Sequence, residues 1–252
     1  MENYLKGKKA LITGAGDGIG KATAYELAKL GVDLLLVSKS KNKLENLANE
    51  LSSYDILVEI LPLDVQDKNQ VQKSLSGVDI DILVNSAGLA LGLEPFYKGD
   101  SDDWDKMIDT NIKGVLYVTK AVIDSMIKKE TAHIINLGSV AGKMAYPNGA
   151  VYCATKSAIH SLSEGMNADL LRTNVKVTTI APGAVETNFS NVRFKGDEQR
   201  AKSVYKGFKP LSAKDIAKVI INILNTPAHV NIQYVDIMPT AQRNPYLLFK
   251  NE

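Results

Sequence analysis

Tyr152 and Lys156 stand four residues apart, and Ser139 lies thirteen residues before the tyrosine. Residues four apart on a helix share a face, so a helix through this stretch aims the phenol and the ammonium the same way. A free tyrosine titrates near about 10, too high for efficient proton transfer at neutral pH. A neighbouring cation favours the phenolate and lowers that value. The trio therefore predicts acid–base work on a hydroxyl or carbonyl oxygen. Tyr152 exchanges the proton, Lys156 tunes it, and Ser139 hydrogen-bonds the reacting oxygen. A Tyr-x-x-x-Lys spacing alone is weak, because chance places one in many helices; a strand-end serine and a glycine-rich turn in the same chain make it specific.

That turn is Thr13-Gly14-Ala15-Gly16-Asp17-Gly18-Ile19-Gly20, set between an apolar run and a helical pattern. Glycine tolerates positive φ and lets a ligand approach the backbone, and the following helix N-terminus offers free amides to a phosphate. Gly14, Asp17, Gly18, Ile19 and Gly20 are thus expected on the coenzyme side. The charge of Asp17 suits solvent or a helix cap better than a phosphate. Sites that prefer NAD place an acid at the end of the second strand, where it binds the ribose. Here that end reads Val37-Ser38-Lys39-Ser40-Lys41. Ser38, Lys39 and Lys41 suit a 2′-phosphate instead, which predicts NADP(H), although solvated lysines would read the same way. Asp64-Val65, after the third strand, is read either as a cap on the adenine or as a helix cap.

These groups need a scaffold that brings strand ends together. Short apolar runs at Lys9–Thr13, Asp33–Val37, Ile56–Leu61, Ile80–Asn85, His133–Leu137, Val175–Ile180 and Ile232–Met238 read as strands buried on both faces. Helical patterns alternate with them at Ile19–Leu30, Leu44–Leu51, Val71–Leu75, Trp104–Ile127, Val151–Leu171 and Asp215–Leu224. Strict alternation predicts an α/β fold: a single-domain, Rossmann-type, doubly wound parallel sheet over residues 1–252, with helices on both faces. Ligands of such sheets bind at the carboxyl ends of the strands, where Ser139 falls. The polar, basic stretch Thr187–Pro210 breaks the rhythm and predicts a substrate lid.

Composition narrows the classes. A net charge of +2 over 252 residues, with scattered lysines and arginines, argues against a nucleic-acid partner. No apolar run is long enough to span a bilayer, and the N-terminus lacks a signal-peptide pattern. The one cysteine, Cys153, permits no internal disulfide, which predicts a reducing, cytoplasmic setting. Cys153 is next to Tyr152 on a different helix face and reads as packing. His133, His160 and His229 lack metal-ligand spacing, so no metal is expected, and Trp104 reads as packing at a helix start.

Taken together, these motifs resemble the short-chain dehydrogenase/reductase family over essentially the whole chain. Asn85-Ser86-Ala87-Gly88 is similar to the family's Asn-Asn-Ala-Gly, with Ser86 as a departure. The resemblance implies coenzyme contacts at Asn85, Ala87 and Gly88 and at Pro182, Gly183, Val185 and Thr187, the last toward the carboxamide of the nicotinamide. It also implies that Lys156 binds the nicotinamide ribose and that Asn111 completes a tetrad by holding a water in a proton relay through Lys156. The family's habit implies a homotetramer built on the two long helices.

A narrower resemblance, in 87–92, 188–197 and 227–232, is to NADP-dependent 3-hydroxy acid dehydrogenases. It implies a small 3-hydroxy or 3-oxo acid as substrate, of the serine, allo-threonine, 3-hydroxypropionate or malonic semialdehyde type. A carboxylate needs a cation: Arg193 is the first candidate and Lys195 the second, unless both are solvated lid charges. Met144 and Tyr146, between Ser139 and Tyr152, complete the expected substrate side. Two alternatives remain, reduction of a 3-oxoacyl thioester and a non-catalytic NADP(H)-binding sensor or scaffold.

Overall fold

The computed structural model describes residues 3–251. Its strands are β1 (Lys9–Thr13), β2 (Asp33–Ser38), β3 (Val58–Pro62), β4 (Ile82–Asn85), β5 (Ala132–Leu137), β6 (Val175–Pro182), the two-residue β7 (Val185–Glu186) and β8 (Leu211–Ser212), and β9 (Tyr234–Ile237). Its α-helices are α1 (Gly18–Ala28), α2 (Lys41–Leu51), α3 (Lys68–Leu75), α4 (Ser101–Ile108), α5 (Val115–Met126), α6 (Ala150–Asp169), α7 (Phe189–Arg193), α8 (Glu198–Ser203) and α9 (Ala213–Leu224). Seven strands make one parallel sheet in the order β3-β2-β1-β4-β5-β6-β9, and β7 pairs with β8 apart from it. Strand order reverses between β1 and β4, which opens the crevice where this architecture takes its ligands.

Alternate strand residues feed two cores. Ala10, Ile12, Leu34, Leu36, Ile82 and Val84 pack against α1, α2 and α9. Leu11, Leu35, Val37, Leu83, Ile134 and Val177 pack against α3 and α5 on the opposite face, joined by Met166 of α6 and by Leu170 just beyond its end. Both faces are covered, which explains the nearly continuous apolar runs. Ser212 caps α9 through a reciprocal box with Asp215, a device that contributes about 1 kcal/mol. His133 is structural as expected: its Nε2 lies 2.8 Å from Thr178 Oγ1, and burial pushes its pKa down to about 3.

Two elements differ from expectation. The helix expected over Trp104–Ile127 is α4, a π-helical turn (Asp109–Gly114) and α5. The widened turn carries Asn111, and such insertions are frequent at functional sites. The lid stretch is not an irregular loop; α7 and α8 form in it, the latter capped by Asp197. The C-terminal segment folds back on its own chain, with a Gln242–Leu248 bridge, a bond from Tyr246 Oη to the Ala145 carbonyl and another from Asn251 N to Gly207 O at 2.7 Å.

Candidate active site

The glycine turn follows β1 directly, and its tightness is visible in what a side chain would meet. Gly14 has φ +65°, and a Cβ there would lie 2.9 Å from the Ala87 backbone; one on Gly20 would lie 2.5 Å from Gly14 O. Thr13 Oγ1 accepts from the amides of Ser86 and Ala87 at 3.1 Å, joining the turn to the end of β4. Asp17 is the cap of α1: its carboxylate accepts from Gly18 N at 2.8 Å and from Lys43 Nζ at 2.7 Å. Burial opposes that charge, but Lys43 and the Gly18 amide outweigh it and hold the carboxyl below the ordinary range. Ile19 packs against the core, and Gly18 faces Thr187 across the cleft, its notional Cβ 3.6 Å from the threonine side chain.

At the end of β2, Ser38 Oγ stands 3.2 Å from where a Gly16 Cβ would be. Lys39 is exposed and bonded to Asp64 at 2.8 Å, so the two expected nucleotide contacts neutralise one another. Asp64 caps no helix; Asp67 caps α3. Val65 is buried against Gly114 of the π-helical turn. The Asn85 side chain points into the sheet, donating to Thr119 Oγ1 at 3.1 Å and Asn136 Oδ1 at 2.9 Å. Its contribution is to anchor β4, and Ala87 and Gly88 continue from there to the cleft. Pro182 ends β6, Gly183 N donates to Ile237 O at 2.7 Å, and Val185 begins β7, which carries the chain to Thr187. A turn stripped of Cβ atoms, a helix N-terminus and Thr187 opposite it fit a dinucleotide.

α6 places Tyr152 and Lys156 on one face, as expected. Lys156 is 7% exposed; its Nζ donates to Leu137 O at 2.6 Å and lies 3.5 Å from a notional Gly88 Cβ. Burial lowers its pKa to about 8. On the other side of Gly88, Asn111 holds Leu89 in both directions, accepting from its N and donating to its O at 2.8 Å, and also donates to Thr155 Oγ1 at 3.0 Å. Ser139, at the end of β5, accepts from Ala141 N at 3.1 Å.

Tyr152 departs from the simple expectation. Burial pushes its pKa up, with Tyr146 adding to the rise; Ser139 and Arg193 pull it down. The Lys156 ammonium is engaged by the Leu137 carbonyl. Tyr152 in the free protein is therefore a neutral phenol, the form that donates to a carbonyl oxygen.

A cavity of about 320 Å³ runs from Tyr152 past Gly92, Trp104 and Asp103 to the segment of α7 and α8. Arg193 on α7 reaches into it. Its guanidinium donates to Tyr146 Oη at 2.9 Å and to Gly92 O at 3.1 Å, and its centre lies 5.8 Å from the Tyr152 ring. Lys98, Lys195 and Arg200 also line the cavity; Lys195 is bonded to Asp103 at 2.8 Å and Arg200 lies 3.8 Å from Glu94, whereas Arg193 lies over the Tyr152 ring. Met144 is 43% exposed, and neither it nor Tyr146 nor Ser139 is among the residues that line this cavity, although Tyr146 holds Arg193. Trp104 does pack, stacked on Phe96 at 4.9 Å, and it also lines the cavity.

Two contributors had escaped the sequence reading. Phe189 tilts against the Tyr152 ring at 5.7 Å; its only signal was an aromatic in a polar lid. Asp103 is buried beneath Lys195, and nothing in Asp102-Asp103-Trp104-Asp105 marks which acid turns inward.

Residues 8–198 match the family model for short chain dehydrogenases, and the chain belongs to that family. It is 40% identical over 238 residues to the NADP-dependent 3-hydroxy acid dehydrogenase YdfG of Escherichia coli, covering 92% of this chain and 95% of the relative. It is 41% identical over 238 residues to sulfoacetaldehyde reductase 2 of Chromohalobacter salexigens, covering 92% and 94%. Among solved structures, the closed form of serine dehydrogenase complexed with NADP+ superposes with a TM-score of 0.89 at 38% identity, over 97% of this chain and all of that one. No helix among the described residues is long and apolar enough to cross a membrane.

Proposed function

We propose that the protein is an NADP(H)-dependent oxidoreductase acting at C3 of a small 3-hydroxy acid or the corresponding 3-oxo acid. The observation that carries this reading is Arg193, a cation held by Tyr146 beside the Tyr152 ring in the wall of an open cavity. A planar guanidinium takes a carboxylate through two parallel hydrogen bonds. With the acid group on Arg193, a carbon two bonds from the carboxyl carbon falls toward Tyr152. The names of two relatives agree in kind. In a 3-hydroxy acid and in sulfoacetaldehyde alike, the oxygen sits on the carbon next to the one that carries the acid group, the same spacing from the anion.

The nicotinamide coenzyme, when bound, accepts the hydride from C3 or returns it. The chain does the rest. In reduction, Tyr152 gives its phenolic proton to the carbonyl oxygen, and in oxidation it takes the hydroxyl proton back. Ser139 orients that oxygen. Lys156, pKa about 8, stands at the Gly88 wall of the coenzyme cleft and supplies the positive field in which a phenolate forms. Ser38, with Lys39 released from Asp64, meets the 2′-phosphate. A homotetramer and a cytoplasmic setting complete the proposal. The first is supported by exposed apolar residues such as Leu116 on α5, the second by the lone buried Cys153. Light scattering that gives four copies in solution is the expected result for the assembly.

The deciding experiment is NADP+ reduction, with NAD+ in parallel, against L-serine, L-allo-threonine, 3-hydroxypropionate and 3-hydroxyisobutyrate. Turnover of at least one acid with NADP+ is expected. Arg193→Ala should raise KM for that acid about 100-fold, the loss of one charge-assisted pair of bonds at about 3 kcal/mol. Silence on all four acids, with NADPH consumed by an acetoacetyl thioester, would overturn the small-acid reading in favour of acyl-chain reduction. Binding of NADPH with no turnover of either class would favour a sensor.

A further inference from the structure

Helix α6 carries three polar side chains in line, Tyr152, Lys156 and His160, each one turn beyond the last. The third has a setting as particular as the first two. A Cβ on Gly138 would lie 2.6 Å from His160 Nε2, and one on Gly142 would lie 2.5 Å from His160 Cε1 and 2.7 Å from the Lys156 carbonyl. The segment Gly138-Ser139-Val140-Ala141-Gly142 thus begins and ends with residues that lack a side chain where the imidazole sits. Tyr234 of β9 closes the far side, edge-on at 5.2 Å and 86°. The ring is wedged between the Ser139 segment, α6 and the last strand of the sheet.

The polar contact points the same way. His160 Nε2 is buried without a well-aligned partner, and the acceptor acting on the ring is the Ser139 backbone carbonyl. That carbonyl also accepts from Gly142 N at 2.9 Å, while the Ser139 hydroxyl accepts from Ala141 N at 3.1 Å. Backbone and hydroxyl of Ser139 are therefore tied into one short turn, the hydroxyl also donating to Pro182 O at 3.5 Å, and the turn packs on the imidazole. Burial, then Lys156 and Lys143, hold the imidazole below its ordinary pKa against Asp236 and the Ser139 carbonyl, so it stays neutral beside Lys156.

We infer that His160 is a positioning residue for Ser139, setting the height and angle of the hydroxyl that faces the reacting oxygen. The inference rests on the role given to Ser139 above. Misplacing a group by about 1 Å costs up to about 100-fold in rate, so a wedge behind the serine has leverage without touching substrate. An aligned hydrogen bond to the Ser139 carbonyl need form only in the substrate complex, where such bonds tighten.

The test is a double-mutant cycle of His160→Leu and Ser139→Ala, with His160→Gln as the conservative variant. Three quantities are measured: kcat with NADP+ and the best acid, NADPH Kd by fluorescence, and hydrogen exchange of the peptide spanning residues 137–143. His160→Leu should lower kcat about tenfold and leave NADPH Kd unchanged, with exchange of that peptide several-fold faster; His160→Gln should recover most of both. In the Ser139→Ala background His160→Leu should add no further loss, because residues that act through one another are not additive. An undiminished kcat in His160→Leu overturns the inference. So does an equal fold-loss in the Ser139→Ala background, or a loss that glutamine does not restore. Should the leucine variant not fold, His160→Asn, polar but too short to reach, takes its place in the same cycle. If the wild type turns over none of the acids, the functional reading fails. Exchange of the Ser139 peptide then decides on His160 alone: acceleration supports the wedge and an unchanged rate overturns it.

Discussion

Around Gly14 and Gly20 the cleft is built by backbone pressed on backbone, whereas around Arg193 and Lys195 its walls are joined by the tips of long side chains. On the first side a single methyl group would collide with the Ala87 backbone or the Gly14 carbonyl. On the second, Lys195 spans to Asp103, Arg200 lies 3.8 Å from Glu94, and Arg193 hydrogen-bonds Gly92 through both its backbone and its guanidinium. Backbone contacts tolerate almost no substitution, and that suits a ligand whose phosphates never change. Side-chain contacts can be exchanged one at a time without disturbing the sheet, and that suits a substrate pocket. In the proposed function, coenzyme binding and substrate choice would thus be held by different kinds of interaction in one crevice.

Tyr152 stands where the two sides meet, and its removal should separate them most sharply. Tyr152→Phe keeps the ring that packs on Phe189 and deletes only the hydroxyl. Its kcat should fall by about 1,000-fold or more, the scale of a lost acid–base group, while NADPH Kd stays within about twofold. Stopped-flow or endpoint assays with excess enzyme measure the residual rate. A variant that turned over normally would remove Tyr152 from the mechanism.

Gly14→Ala tests the backbone side. The residue has φ +65°, where a Cβ is strained, and the added carbon would sit 2.9 Å from Ala87 backbone atoms. The two must move apart, and the amides above them with them. A loss of about 100-fold in NADPH affinity is expected, about 3 kcal/mol, with a lower unfolding midpoint. Substrate KM at saturating NADPH should change far less. Equal damage to both ligands would mean that the two sides are not independent.

The same division explains what could be read before any coordinates. Backbone demands leave marks in sequence. Glycines at fixed intervals after an apolar run, Tyr152 and Lys156 at helical spacing, and runs buried on both faces are local signals, and each strand of the seven-stranded sheet and the helix of Tyr152 lie within two residues of where they were expected, whereas the two-residue β7 and β8 have no expected counterpart. Side-chain meetings leave few marks. Nothing near Lys39 says that Asp64, 25 positions later, will neutralise it. Nothing near Tyr152 says that Lys156 will donate to the Leu137 carbonyl, or that burial will hold the phenol high. The π-helical turn was hidden for a related reason: one extra residue in a turn shifts a hydrophobic period by less than the scatter in the pattern.

The smallest expected effect lies on the lid side and tests whether its side-chain contacts act as a latch. Lys195 is exposed, while its partner Asp103 is buried on α4, so the lid and the cavity wall are joined by a pair with one foot in the protein. Fully exposed pairs contribute about 0–1 kcal/mol, and burial of one member places this one toward the top of that range. Asp103→Asn keeps the shape and removes the charge. Arg193, two residues from Lys195 and tied to Gly92, should keep its place part of the time, so the substrate KM should rise about three- to fivefold with kcat within about twofold. NaCl at about 0.5 M should raise the wild-type KM in the same direction, because salt screens the exposed member, and should move the variant less. NADPH Kd should stay level, since neither residue approaches the glycine turn. A variant with unchanged KM and unchanged salt response would show that Arg193 is held by Tyr146 and Gly92 alone, and that the ion pairs merely decorate a lid closed by its backbone.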